Sequence, residues 1–104
     1  MSADQAAPAR PRVLVRESIA EPGVELLKSK FDVVEDGTSD LASIIGDFDG
    51  IVIRSATTLD APMIERAERL KVIGRAGVGI DNVDVDAATR RGIVVANAPE
   101  STVV

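Results

Sequence analysis

The run Gly74-Arg75-Ala76-Gly77-Val78-Gly79-Ile80-Asp81-Asn82 carries three glycines within six residues. Glycine lets a backbone approach a ligand closely and turn its N–H groups outward, the geometry that captures a carboxylate or a phosphate. The segment departs from the dinucleotide-binding G-x-G-x-x-G, because Asn82 takes the third glycine position and Asn97 stands where an acidic residue is required about 20 positions on. A small-anion loop and a plain tight turn before a helix remain as readings. Arg54 and Arg75 each close a β-branched run, where a planar fork of donors reaches a carboxylate or phosphate above a sheet. Two arginines on one rim point to an anionic ligand, whereas either one alone reads more readily as a surface partner of a nearby Asp. Ser55, Thr57 and Thr58 are candidates for orienting such a ligand, and Thr58 also for capping the next helix. Asp81, Asp84 and Asp86 lack the spacing of an EF-hand and read as helix caps.

The absences narrow the chemistry further. The 104 residues include no Cys and no His, which removes disulfides, thiolate metal sites, thiol catalysis and the commonest general base. Any chemistry falls to carboxylates, hydroxyls, Arg, Lys and backbone amides. A net charge of −5, with two Phe and neither Trp nor Tyr, argues against nucleic acid and anionic membranes as partners. No run of about 18 apolar residues and no signal-peptide h-region is present, so the expectation is a cytoplasmic protein without a membrane span.

Residues 1–11 hold two prolines and no apolar periodicity and read as a flexible leader. Val and Ile together number 23 against 6 Leu, the excess that buried strands produce. Five β-branched runs follow: Val13-Leu14-Val15, Val33-Val34, Ile51-Val52-Ile53, Val72-Ile73 and Ile93-Val94-Val95. Between them lie helical spacings, first Val24, Leu27 and Phe31 behind Pro22, then 39–46, 61–69 and 84–91. Strands alternating with single helices predict an α/β domain over 12–98, a doubly wound parallel sheet in the order 2-1-3-4-5. Ligands of such sheets bind beyond the carboxyl ends of the strands. The residues to read for function are therefore Arg16-Glu17-Ser18, Arg54 to Thr57, Gly74 to Asn82 and Asn97-Ala98-Pro99. A phosphoacceptor receiver fails because Arg54 stands at the required Asp. A flavin-phosphate loop fails because Glu17 and Glu21 would repel phosphate.

Three runs, Ile53 to Thr57, Val72 to Asp84 and Gly92 to Pro99, resemble in order and spacing the amino-terminal part of the D-isomer-specific 2-hydroxyacid dehydrogenases. The resemblance implies a flavodoxin-like substrate-binding domain facing a separate, absent Rossmann domain that holds NAD, with 99–104 starting the crossover toward it. It implies that the amides of Val78 and Gly79 hold the substrate carboxylate, that Arg54 and Ser55 approach the substrate and its phosphate, and that Arg75 lies close by. It places the catalytic His, its carboxylate and an Arg downstream, so no catalytic or cofactor-binding residue is assigned here, and no metal. Thr102 replaces an Asn that commonly touches substrate, and that contact is not carried over. The implied reaction is NAD-dependent oxidation of 3-phospho-D-glycerate to 3-phosphohydroxypyruvate in serine biosynthesis, by a homo-oligomer when complete; the fragment alone is expected to be inactive. Enzymes acting on glyoxylate, hydroxypyruvate or lactate look similar through this region. A non-enzymatic α/β module that binds an anion or a protein is the alternative of a different class.

Overall fold

The computed structural model describes residues 10–76 and 82–98. Five strands form one parallel sheet: β1 (Arg12–Val15), β2 (Asp32–Glu35), β3 (Gly50–Ile53), β4 (Val72–Ala76) and β5 (Val94–Ala98), in the order β2-β1-β3-β4-β5. The helices are α1 (Glu21–Lys30), α2 (Leu41–Ile44) running into a 3-10 turn (Ile45–Asp47), α3 (Ala61–Arg66) and α4 (Val85–Arg90). The expected fold class and strand order are both present. Residues 1–9, 77–81 and 99–104 lie outside the described residues, and with them most of the leader expected at 1–11, most of the glycine run and the expected start of a crossover. Pairing begins just before Arg12, since the Pro11 carbonyl accepts from the Asp32 amide at 3.0 Å.

Helix termini follow the local chemistry. Pro22 sits in the first turn of α1, where its missing N–H costs nothing. Asp60 caps α3 through Met63 N at 3.1 Å, and Asp84 caps α4 through Ala87 N at 3.0 Å. The expected cap at Thr58 is thus corrected to Asp60, which stands directly at the helix entry. Gly92, at φ 74°, closes the return from α4 and lets Ile93 N reach the Ala88 carbonyl at 2.9 Å.

Strand extents also need correction. β4 runs on through Gly74, Arg75 and Ala76, paired with Val52, Ile53 and Ala96 to Ala98. Arg75 and Asn97 are accordingly in-strand neighbours rather than residues of the loops that follow. The helical spacings at 39–46 and 61–69 shorten to α2 with its 3-10 turn and to α3.

Alternation divides the sheet into two unequal faces. Leu14, Ile51, Ile53 and Ile73 point to one side and join Leu41, Ile45, Phe48, Leu59, Ile64 and Ala88 in the main core. Full burial of each large aliphatic there contributes about 1.5–3 kcal/mol. Among the described residues the opposite face carries α1, and Val72 and Val94 remain 44% and 60% exposed on it. An apolar groove of about 400 Å³ runs there between Leu27, Phe31, Val52 and Val72. Among the described residues no helix is long and apolar enough to cross a membrane.

Candidate functional site

The polar cluster forms where β1, β3 and β4 end. β1 keeps pairing for one residue more, Arg16 N donating to the Val52 carbonyl at 2.9 Å. That step sets Glu17 beside the turn that leaves β3. One Glu17 carboxylate oxygen accepts from Arg54 N at 2.7 Å and Thr57 N at 3.0 Å, and the other from Ala56 N at 3.1 Å. The Thr57 hydroxyl adds a further bond. Burial pushes the Glu17 carboxyl up, but these four hydrogen bonds outweigh it and hold its pKa below the usual 4.5.

Asn82 grips the same turn from the other side. Its amide nitrogen donates to the carbonyls of Arg54 at 2.7 Å and Thr57 at 2.5 Å, while its oxygen accepts from Arg75 Nε at 2.7 Å. Asn can supply donors and an acceptor at once, which a Gly at this position could not. The chain around Asn82 is itself fixed by main-chain bonds, Leu59 N to the Asn82 carbonyl at 2.8 Å and Asp84 N to the Leu59 carbonyl at 2.9 Å.

The sequence-derived candidates separate accordingly. Arg54, Ser55 and Arg75 are brought to one corner of the sheet. Ser55 is exposed, Arg54 is partly buried with Nη1 donating to the Ser18 carbonyl at 3.4 Å, and Arg75 is buried at 9% exposure. Thr57 is buried and turned toward Glu17, so it shapes the turn rather than facing a ligand. Val78 and Gly79 lie outside the described residues. Glu17 and Asn82 lie in stretches named for function from the sequence, but the structure gives them a part in the candidate site that the sequence does not assign. In sequence the first reads as repelling phosphate and the second as a lost glycine.

The arrangement presents guanidinium and hydroxyl groups at the carboxyl ends of parallel strands, suited to a small anion. Asn82 is committed to the turn and to Arg75, and Asn97 stands near the end of β5 where the dinucleotide fingerprint has an acidic residue. The sequence profile described as D-isomer specific 2-hydroxyacid dehydrogenase, catalytic domain, matches residues 13–104. The chain belongs to this family.

Similarity to individual members agrees. The chain is 46% identical over 96 residues to a D-3-phosphoglycerate dehydrogenase of Synechocystis sp., covering 89% of this chain and 17% of that protein. It is 46% identical over 92 residues to the enzyme of the same name from Archaeoglobus fulgidus, covering 85% and 18%. It therefore spans less than a fifth of the length of these relatives. Among solved structures, a Pyrococcus horikoshii protein superposes with a TM-score of 0.81 at 38% identity, over 86% of this chain and 28% of that one. NAD+-bound 3-phosphoglycerate dehydrogenase of Entamoeba histolytica gives 0.71 at 32%, over 86% and 33%. An NADPH-dependent glyoxylate/hydroxypyruvate reductase of Sinorhizobium meliloti gives 0.70 at 34%, over 86% and 29%.

Proposed function

We propose that this chain is the substrate-side portion of an NAD-dependent D-2-hydroxyacid dehydrogenase that oxidises 3-phospho-D-glycerate to 3-phosphohydroxypyruvate, at the entry to serine biosynthesis in the cytoplasm. The observation that carries the reading is the convergence of Arg54, Ser55 and Arg75 on one rim of the sheet, held by Glu17 and Asn82. A substrate with a carboxylate at one end and a phosphate at the other needs such fixed cationic donors. The choice among 2-hydroxy acids is supported by the 46% identity to two proteins named D-3-phosphoglycerate dehydrogenase.

In this reading the amides of Val78 and Gly79 take the substrate carboxylate, and Arg54 with Ser55 takes the phosphate. Oxidation removes a hydride from C2, which NAD would accept, and a proton from its hydroxyl, which a base would accept, and in this reading the remainder of a longer protein would hold both. The half-covered sheet supports that division, since Val72 and Val94 keep an apolar strip that further chain would bury. The complete enzyme is a homo-oligomer in this account. The test is NADH formation from 3-phosphoglycerate by the complete protein and by residues 1–104 alone. Turnover by the complete protein and none by the 104-residue chain is expected. Turnover by the short chain would overturn the division of labour, and a complete protein inert toward 3-phosphoglycerate would overturn the substrate.

A further inference from the structure

We infer that Glu17 is a positioning residue, which fixes the turn after β3 so that Arg54 and Ser55 project as the anion-binding groups. Successive backbone N–H groups that converge on one point normally await an anion from outside. Here three of the four amides of residues 54–57 converge on the chain's own carboxylate, 37 to 40 residues away in sequence. The turn is thus supplied with its anion internally, and an incoming phosphate meets a negative charge rather than a waiting amide cradle at its back. Recognition from this turn is left to the side chains of Arg54 and Ser55. The carbonyls of Arg54 and Thr57 are gripped by Asn82 from the opposite side, so the turn is held on both edges and only its middle faces outward. The held geometry matters because a donor displaced by about 1 Å from a bound anion forfeits much of its effect on rate and affinity.

This inference rests on the function proposed above, and its test separates the two. Glu17→Gln keeps the volume but sets an NH₂ group against at least one of the three amides, and Glu17→Asp keeps the charge while drawing it back by one methylene. In the complete enzyme, amide hydrogen exchange at Arg54, Ala56 and Thr57 is expected to quicken by about tenfold in Glu17→Gln, the factor set by one lost charge-assisted bond. The KM for 3-phosphoglycerate is expected to rise by about fivefold or more with the KM for NAD unchanged, and Glu17→Asp to fall between the two enzymes. Exchange and KM both at wild-type values in Glu17→Gln would overturn the role of Glu17. A rise in both KM values together with a lowered melting temperature would also overturn it, leaving Glu17 as a folding residue. A wild-type enzyme inert toward every 2-hydroxy acid would instead overturn the proposed function, and with it the substrate half of this inference, while quickened exchange would still establish the internal anion.

Discussion

Replacing Asn82 by Ala removes three hydrogen bonds with one change. Two are amide-to-carbonyl bonds to Arg54 and Thr57, and the third accepts from Arg75 Nε, in a side chain only 9% exposed. Neutral bonds contribute about 0.5–1.5 kcal/mol each and a charge-assisted one about 1.5–3 kcal/mol. Independent bonds would sum to about 2.5–6 kcal/mol, but bonds sharing one residue are not additive, and about 3 kcal/mol is the expected loss. For a domain of this size that lowers the melting temperature by roughly 12–24 °C. Thermal unfolding of the 104-residue chain, followed by circular dichroism, measures it. Asn82→Asp sharpens the test: it keeps an acceptor for Arg75, now charged, yet sets a carboxylate oxygen against two carbonyls where Asn donates. It is expected to destabilise as much as Ala. A melting temperature within about 3 °C of wild type for either variant, under 1 kcal/mol on this scale, would refute the two-sided clasp.

Two further outcomes concern the whole domain. Asp36 is held at about 2 by the Ser39 hydroxyl and the amides of Ser39 and Thr38, and Glu17 also titrates below its usual 4.5. Groups with depressed folded pKa values stabilise above their unfolded pKa and lose that contribution as the pH falls through the folded one. The melting temperature should therefore be insensitive to these groups above about pH 5 and fall from about pH 4.5 toward 2, with a shallower fall in Asp36→Asn; an unchanged acid slope in that variant would contradict the assignment. Gly92→Ala should cost about 1–2 kcal/mol, read as a lower urea midpoint at constant m-value. The φ of 74° is the whole cause, since an added Cβ meets nothing within 4 Å.

The strands and their order were legible because β-branched runs recur at the spacing of βαβ units, and a parallel sheet has few ways to connect them. Their lengths were not. Gly74, Ala76, Ala96 and Asn97 have weak strand propensity, yet they pair because β3 and β4 already lie alongside, so tertiary pairing overrides local preference. Thr58 and Asp60 show the same limit at a helix start, where two capping types lie two residues apart and only the backbone path selects one. The place of Arg54, Ser55 and Arg75 at the strand ends could be read from their positions after β-branched runs. Glu17 could not, because its partners lie at Arg54 to Thr57 and a carboxylate near an anion site reads as repulsive until the fold turns it onto backbone amides. Asn82 differs again: its divergence from the glycine pattern was visible, but only the assembled corner shows that an amide side chain is needed there as donor and acceptor together.

On the proposed function, the rim formed by the ends of β1, β3 and β4 faces the phosphorylated substrate and not the dinucleotide. Steady-state kinetics of Arg54→Ala in the complete enzyme, with 3-phosphoglycerate and NAD varied separately, test it most directly. Loss of one charge-assisted contact of about 1.5–3 kcal/mol predicts a rise in the KM for 3-phosphoglycerate of roughly tenfold to a hundredfold, with the KM for NAD unchanged. An unchanged KM for 3-phosphoglycerate, or a rise confined to NAD, would contradict it.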